Sequence, residues 1–438
     1  MQLTEEAPPL VKAHPAIARW KWAVVWVMFL ATMINYMDRQ TMTSNSTHIM
    51  KEFHLNEEGY GWLEFWFGIA FAMTQFPAGF LADRLNLRWL YAGALLVWSA
   101  AGFATGLAHT MFALATCRII LGIGESFNWP CAVAVVRRLL PREARSMANG
   151  IFHSGASIGA GITPILVVML VGPNGENWRW VFQAVGAAGL IWAILWFWCM
   201  HGARGREISK PIEPELDESD STPAALPGGA TQPFKEVFAM RQFWITLVVG
   251  ITVNIPWHFY RVWLPRLLVR DLGFTTQHSQ YVMTGFYVAA DLGCMTAGYM
   301  IRRLALRMSM VKARQTILMA TSLVCLVSIP EVLFKNPWAA IPLTLLFGAG
   351  AMGGFAIFFT LTQEISGPHT AKCLGLIGGT VWFILAGLQP LVGKIVDHIG
   401  TFDPIVMAVG LVPLVGALFA RSWPEPKTPN AAAGAFQI

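Results

Sequence analysis

Twelve stretches of mainly apolar residues recur along this chain, each close to the ~20 residues a helix needs to cross a bilayer. In lipid the backbone has no water to bond, so such runs must satisfy their amides internally, as helices. They run at approximately 21–40, 60–82, 89–108, 111–139, 147–171, 179–201, 241–265, 279–300, 313–332, 338–362, 371–393 and 402–421. Composition agrees, with 13% charged residues against about a quarter in a soluble domain. The 19 Trp and 40 Gly fit a chain rich in interfaces and close helix contacts. An all-α polytopic membrane protein is expected. The first run has no small-residue cleavage pattern, so it reads as a span rather than a removable signal.

Six runs precede and six follow one long polar stretch. That stretch, "HGARGREISKPIEPELDESDSTPAALPGGATQPFKE", is rich in Pro, Gly, Ser and acids and reads as a flexible linker. The expected organisation is an N-terminal six-helix bundle over 1–201, a cytoplasmic linker over 202–240, and a C-terminal six-helix bundle with a short tail over 241–438. Arg84, Arg88, Arg137, Arg138, Arg142, Arg145, Arg302, Arg303, Arg307, Lys312 and Arg314 fall in loops on the same side as both termini. The excess of basic residues places that side in the cytoplasm of an inner (plasma) membrane. The net charge of +6 is therefore a topology signal, and no nucleic-acid partner is implied.

The halves echo each other. "GFLADRLNLR" from Gly79 and "GYMIRRLALR" from Gly298 share a Gly, a charged pair and a following Arg, 219 residues apart. Duplicated halves with a path between them are a carrier architecture. The first copy resembles the cytoplasmic loop motif of the major facilitator superfamily, G-x-x-x-D-R-x-G-R-R. Gly79, Asp83, Arg84 and Arg88 match it, while Asn86 and Leu87 depart. The resemblance implies a major facilitator fold of 12 transmembrane helices in two pseudo-symmetric halves. The matching residues either fix orientation or latch the halves on the cytoplasmic side.

An ionised residue deep in a span costs on the order of 2.5–3.5 kcal/mol, so the retained ones pair, face water or carry function. The first half holds Asp38, Arg39, Glu64, Arg118, Glu125 and His153. Asp38 and Arg39 are sequence neighbours whose side chains diverge by about 100° on a helix, so each needs another partner. They are either an interfacial pair at the end of the first span or cavity charges. Arg118 and Glu125, seven apart in "CRIILGIGESFNWP", lie on one face about 10 Å apart along the axis. They are either a structural ion pair or the counterpart of Asp38 and Arg39 across a cavity. In the second reading Asp38 and Glu125 exchange protons and an Arg grips an anion. Gly122, Gly124 and Pro130 allow close packing and bending beside them. Glu64, close to the start of the second run, reads as an interfacial residue.

"INYMDRQ", "CRIILGIGESFNWP", "ANGIFHSGASIGA" and "NWRWVFQAVGAAGLIW" resemble the anion:cation symporter family, near its bacterial hexuronate and galactonate transporters. The resemblance implies proton-coupled symport of a sugar acid or other organic anion. It assigns carboxylate binding to Arg39, a wall of the same site to Tyr36, the protonatable pair to Asp38 and Glu125, and their tuning to Arg118. An Arg fork suits a carboxylate, whereas a carboxyl in a dry site favours its neutral form.

This chain also departs from that family. Phe71 stands where a Tyr is frequent, and His153 where Asn is; His258 and Arg261 replace an expected Trp and Leu in "IPWHFYRVWLP". His153, beside "SGASIGAG", is either a packing residue or a ligand or proton relay. His258 and Arg261, three apart on one face, either add a cation suited to a dianion or larger acid, or snorkel at an interface close to the helix end expected near Pro265. In the second half Tyr287, Asp291, Gln363, Glu364, Trp382 and Gln389 are further candidates.

The expectation is a secondary carrier, functional as a monomer, whose partners are a small organic anion, H⁺ and the bilayer. A facilitator, exchanger or efflux carrier for another solute, or a non-transporting sensor, is the alternative. No H-E-x-x-H or metal-spaced Cys/His set occurs, so neither an enzyme nor a cofactor is expected. The six cysteines are scattered through or beside the apolar runs and read as small apolar residues.

Overall fold

The computed structural model describes residues 19–171, 175–209, 238–334, 336–364 and 370–423. Among these residues the chain is helical, with no strand. The N-terminal half comprises α1 (Arg19–Ser44), a short α2 (Ser46–Glu52), α3 (Glu57–Arg84), α4 (Leu87–Thr105), α5 (Met111–Glu125), α6 (Asn128–Leu139), α7 (Arg142–Leu170) and α8 (Trp178–Cys199). A short α9 (Ala203–Ser209) follows. The C-terminal half comprises α10 (Arg241–Arg270), α11 (Thr276–Ala305), α12 (Met310–Val324), α13 (Ser328–Phe334), α14 (Pro337–Glu364), α15 (Thr370–Ile399) and α16 (Asp403–Ala420). The pairs α5–α6 and α12–α13 each form one span, which gives twelve spans in two six-helix halves.

Ten spans are long and apolar enough to cross a membrane by length and composition. The other two, α1 and α11, are 26 and 30 residues long but carry charged and amide side chains. Both contact the opposite half, and protein rather than lipid surrounds Asn35, Asp38, Arg39 and Gln40 of α1 and Gln280 of α11. Side-chain caps set several helix starts: Asn56, Thr110, Thr275 and Ser309 each accept a hydrogen bond from the first turn of α3, α5, α11 and α12. The break between α5 and α6 falls where Pro130 lacks the N–H that would bond the Ser126 carbonyl. Pro265 does not end its helix. α10 runs on to Arg270, as membrane helices can when neighbours satisfy the freed carbonyl.

The first residues of the expected linker are also ordered. α9 buries Ile208, receives a 2.7 Å bond from Arg138 to the Ile208 carbonyl, and pairs Glu207 with Lys21 at 2.5 Å. Residues 210–237 of that segment lie outside the described residues.

Arg19 and Ala420 define one face of the bundle, here the terminal face, and Ser44 and Glu57 lie at the distal face. Small residues bring the helices together. A Cβ built at Gly155 or Gly159 of α7 would run into the Phe29 and Met33 carbonyls of α1, and one at Gly61 of α3 would sit 2.5 Å from the Gln389 carbonyl of α15. Two apolar cores result. One fills the N-terminal half, and the other joins the C-terminal half to distal-end residues of the first, among them Met42, Ile49, Tyr60, Leu63 and Trp178. At the terminal face a Cβ at Gly79 or Gly298 would meet nothing within 4 Å. The halves are closed distally and part toward the terminal face.

Candidate functional site

α1 is buried at nearly every position from Asn35 to its end at Ser44, because it passes between the halves at their closed end. Its polar side chains therefore look into protein. Asp38 and Arg39 are 2% and 4% exposed, which removes the interfacial reading of that pair. Arg39 Nε donates to Glu125 Oε2 at 2.5 Å, so α1 and α5 meet through a cation and an acid, and the two neighbours on α1 do not neutralise each other. Asp38 points elsewhere. Its carboxylate lies against Gly102 of α4, where an added Cβ would be 2.7 Å from Oδ1, and neither oxygen has a hydrogen-bond partner among the described residues.

Arg118 pairs with Glu64, at 2.7 Å from Nη2 to Oε1, rather than with Glu125 on its own helix. Glu64 is 2% exposed and reaches Arg261 of α10 at 3.5 Å through its other oxygen. The expectation that Glu64 is interfacial is thus overturned: the Asn56 cap starts α3 early and carries Glu64 two turns into the span. Arg261 does not snorkel either; it is buried, since α10 continues past Pro265 and holds it within the bundle. An Arg118–Glu64–Arg261 chain consequently bridges the two halves.

Aromatic rings enclose these cations. The Arg39 guanidinium lies 4.6 Å from the Phe71 ring centre, 5.2 Å from Phe67, and 5.3 Å from both Tyr36 and Trp382. Trp382, from α15, contacts Phe71 at 4.6 Å and the His258 ring at 4.7 Å, so both halves supply walls. Such faces attract a guanidinium by their quadrupoles while excluding water. His258 Nδ1 accepts from Arg261 Nε at 3.2 Å. Tyr287 is buried against Trp257.

Other expected residues stand apart. His153 is exposed, its ring tilted against Trp129 at 4.1 Å, and stands apart from the charged cluster. Asp291 accepts from Ser157 of the other half at 2.6 Å. Gln389 accepts from Trp263 at 2.9 Å. The side chains of Gln363 and Glu364, in the last turn of α14, lie outside the described residues. Of the loop motif, Asp83 and Arg84 are exposed; Arg84 lies over Phe80, and Arg138 donates to the Ala82 and Asp83 carbonyls at 3.0 Å. Arg88 lies by Trp89 and Phe197. These contacts stay within the N-terminal half, and among the described residues none of them reaches the other half.

Two features went unread in the sequence. Phe67 shares a helix face with Tyr60, Glu64 and Phe71 at spacings of four, three and four, a pattern that identifies Glu64 as one of that face. A distal lock also joins the halves: Glu57 takes Arg266 at 2.5 Å and Arg270 at 3.1 Å, and Asp397 of α15 accepts from the Glu57 and Glu58 amides. Among the described residues no group of three or more His, Cys, Asp or Glu is placed to hold a metal.

Residues 28–390 match the Major Facilitator Superfamily. The chain is 24% identical over 402 residues to a hexuronate transporter of Escherichia coli (strain K12), covering 91% of this chain and 92% of that one. It is 28% identical to a D-galactonate transporter of Escherichia coli O6:H1, covering 94% and 96%, and 27% identical to a probable sulfoacetate transporter of Cupriavidus necator, covering 90% and 92%. In fold it is similar to a bacterial homologue of the human lysosomal transporter Spinster, with a TM-score of 0.69, 18% identity, and coverage of 92% and 95%. Twelve spans in two halves, a charged centre shared between them, and a family match over most of the length lead to one assignment: the chain belongs to the Major Facilitator Superfamily and is a membrane transporter, not an enzyme.

Proposed function

We propose that the protein takes up a sugar acid by alternating access, coupled to protons, with its terminal face in the cytoplasm of an inner membrane. The relatives named for hexuronate and galactonate transport support the substrate class. One observation carries the site assignment: Arg39 is held by Glu125 through Nε, while its Nη2, in an aromatic cage, has no acceptor among the described residues. A guanidinium fixed on one edge and free on another is prepared for a carboxylate.

In this reading Tyr36, Phe71, Trp382, His258 and Tyr287 wall the substrate, and Asp38 and Glu125 are the proton sites. Protonating Glu125 loosens its grip on Arg39 and lowers the charge that must cross as the halves rock. The bundles over 1–201 and 241–438 are the moving bodies. The Gly79, Asp83, Arg84 and Arg88 segment closes against the other half when the distal face opens.

Uptake of labelled glucuronate, galacturonate and galactonate into proteoliposomes, with and without an inward pH gradient at clamped voltage, tests this. Accumulation that collapses with the gradient and is abolished in Arg39→Gln is expected. Equilibration without accumulation would point to a facilitator or exchanger, and binding without movement to a sensor. Undiminished uptake by Arg39→Gln would remove that residue from the site.

A further inference from the structure

One carboxylate needs one guanidinium, and the centre of this protein holds more. The charged groups that face one another there are Asp38 and Arg39 of α1, Glu64 of α3, Arg118 and Glu125 of α5, and Arg261 of α10. Three cations meet three acids, so the fully ionised set is neutral. With protons on Asp38 and Glu125, only Glu64 remains to oppose three guanidinium groups. Two positive charges are then uncompensated, and a monoanion would neutralise only one. An unpaired charge left in a dry site costs several kcal/mol, so the loaded state is better balanced by a ligand carrying two negative charges.

At this centre three buried guanidinium donors lack an acceptor among the described residues, Arg39 Nη2, Arg118 Nε and Arg261 Nη1, and the first and last lie on opposite halves. Arg39 Nη2 on one half and Arg261 Nη1 on the other are both buried without an acceptor among the described residues, and their side chains are 4% and 5% exposed. A buried donor left unmade costs about 1–3 kcal/mol. Each of the two guanidinium groups is anchored by a carboxylate on one edge, Glu125 for Arg39 and Glu64 for Arg261, and keeps another edge free. Trp382 lies 5.3 Å from Arg39 and 4.7 Å from the ring of His258, the hydrogen-bond partner of Arg261. Because His258 Nδ1 accepts from Arg261, its Nε2 carries the hydrogen of the neutral ring and is a further donor.

We propose that Arg261 and His258 form a second anion subsite opposite Arg39, and that the carried substrate is a dianionic sugar acid with a carboxylate at each end. The proposal rests on the sugar-acid reading above and names the class within it. It also supplies a reason for closure: Arg39 belongs to the N-terminal half and Arg261 to the C-terminal half, so a ligand held at both ends draws the halves together, whereas a monocarboxylate held only at Arg39 does not.

The test is the ratio of glucarate uptake to glucuronate uptake, measured in the same proteoliposomes so that the amount of folded carrier cancels. For the unaltered protein kcat/KM is expected to favour the diacid at least about tenfold, as a site left with unpaired polar groups rejects the shorter-handed analogue. Arg261→Gln should lower the ratio by about tenfold or more, whatever the absolute rate of either acid. Should Arg261→Gln reconstitute in too small an amount, Arg261→Lys, which keeps the charge toward Glu64 but loses the second guanidinium edge, supplies the ratio and is expected to lower it. Uptake of glucuronate with glucarate excluded, or a ratio unmoved by both substitutions, would overturn the second subsite and leave sugar-acid transport standing. Uptake of neither acid would overturn sugar-acid transport itself.

Discussion

At the residue scale the distinctive group is Asp38. Its carboxylate is enclosed beside Gly102 with neither oxygen hydrogen-bonded among the described residues, although Arg39, Glu64, Arg118, Glu125 and Arg261 share the same centre. A group kept at such a cost has a task, and the proposed one is to take and release a proton as the carrier turns. Asp38→Asn keeps the shape and removes the titration. It is expected to lose pH-driven accumulation by about 100-fold, the ~2.7 kcal/mol of two decades, while exchange of internal for external substrate persists; a counterflow assay separates the two. Asp38, Arg39, Arg118 and Glu125 were legible in the sequence because a charge within a twenty-residue apolar run is expensive wherever its partner lies. Their partners were not legible. Glu125 pairs with Arg39 and Glu64 with Arg118, and only packing in three dimensions decides between those pairings and the intrahelical one. Glu64 was misjudged by its closeness to a helix end, when its spacing from Phe67 and Phe71 already placed it on the inward face.

At the element scale the twelve spans and the division into halves were readable, since bilayer thickness and backbone hydrogen bonding leave few alternatives. Helix ends were less so: α10 outlasts Pro265, and α9 folds out of a segment whose composition suggested only a linker. The small-residue run "SGASIGAG" did announce close packing, and α7 meets α1 through it. Gly159→Leu forces a side chain onto the Met33 carbonyl and is expected to cost about 1–3 kcal/mol by overpacking, visible as a lower Tm of the detergent-purified protein. Gly79→Leu serves as the contrast. Open space surrounds Gly79 in this conformation, so Tm should hold, while under the proposed closure of the terminal face the segment packs against the other half, and transport should slow by about tenfold, or ~1.4 kcal/mol. A Gly79→Leu carrier with unchanged transport would leave the segment a topology signal only.

At the scale of the whole molecule, among the described residues, the hydrogen bonds and ion pairs that join the two halves lie at the distal side and the centre. Glu57 is the hub of the distal set: 3% exposed at its side chain, it faces Arg266 and Arg270 while Asp397 caps its helix from the other half. Removing one member of a buried ion pair typically costs 3–5 kcal/mol. Arg270 keeps 29% of its side-chain surface, so water offsets part of that here, leaving roughly 2 kcal/mol. In the proposed alternating-access cycle the loss falls on the distally closed state, since opening that face would hydrate these groups. A differential of that size changes the ratio of the two states about 30-fold. Glu57→Gln, with spin labels at positions 51 and 277 on a background without native cysteines, is therefore expected to add a longer-distance population across the distal face. An unchanged distance distribution would mean that the central bridge of Arg118, Glu64 and Arg261 holds the halves by itself. In that case the same substrate-binding charges would set both specificity and the resting conformation, and neutralising Glu64 rather than Glu57 would be the change that opens the distal side.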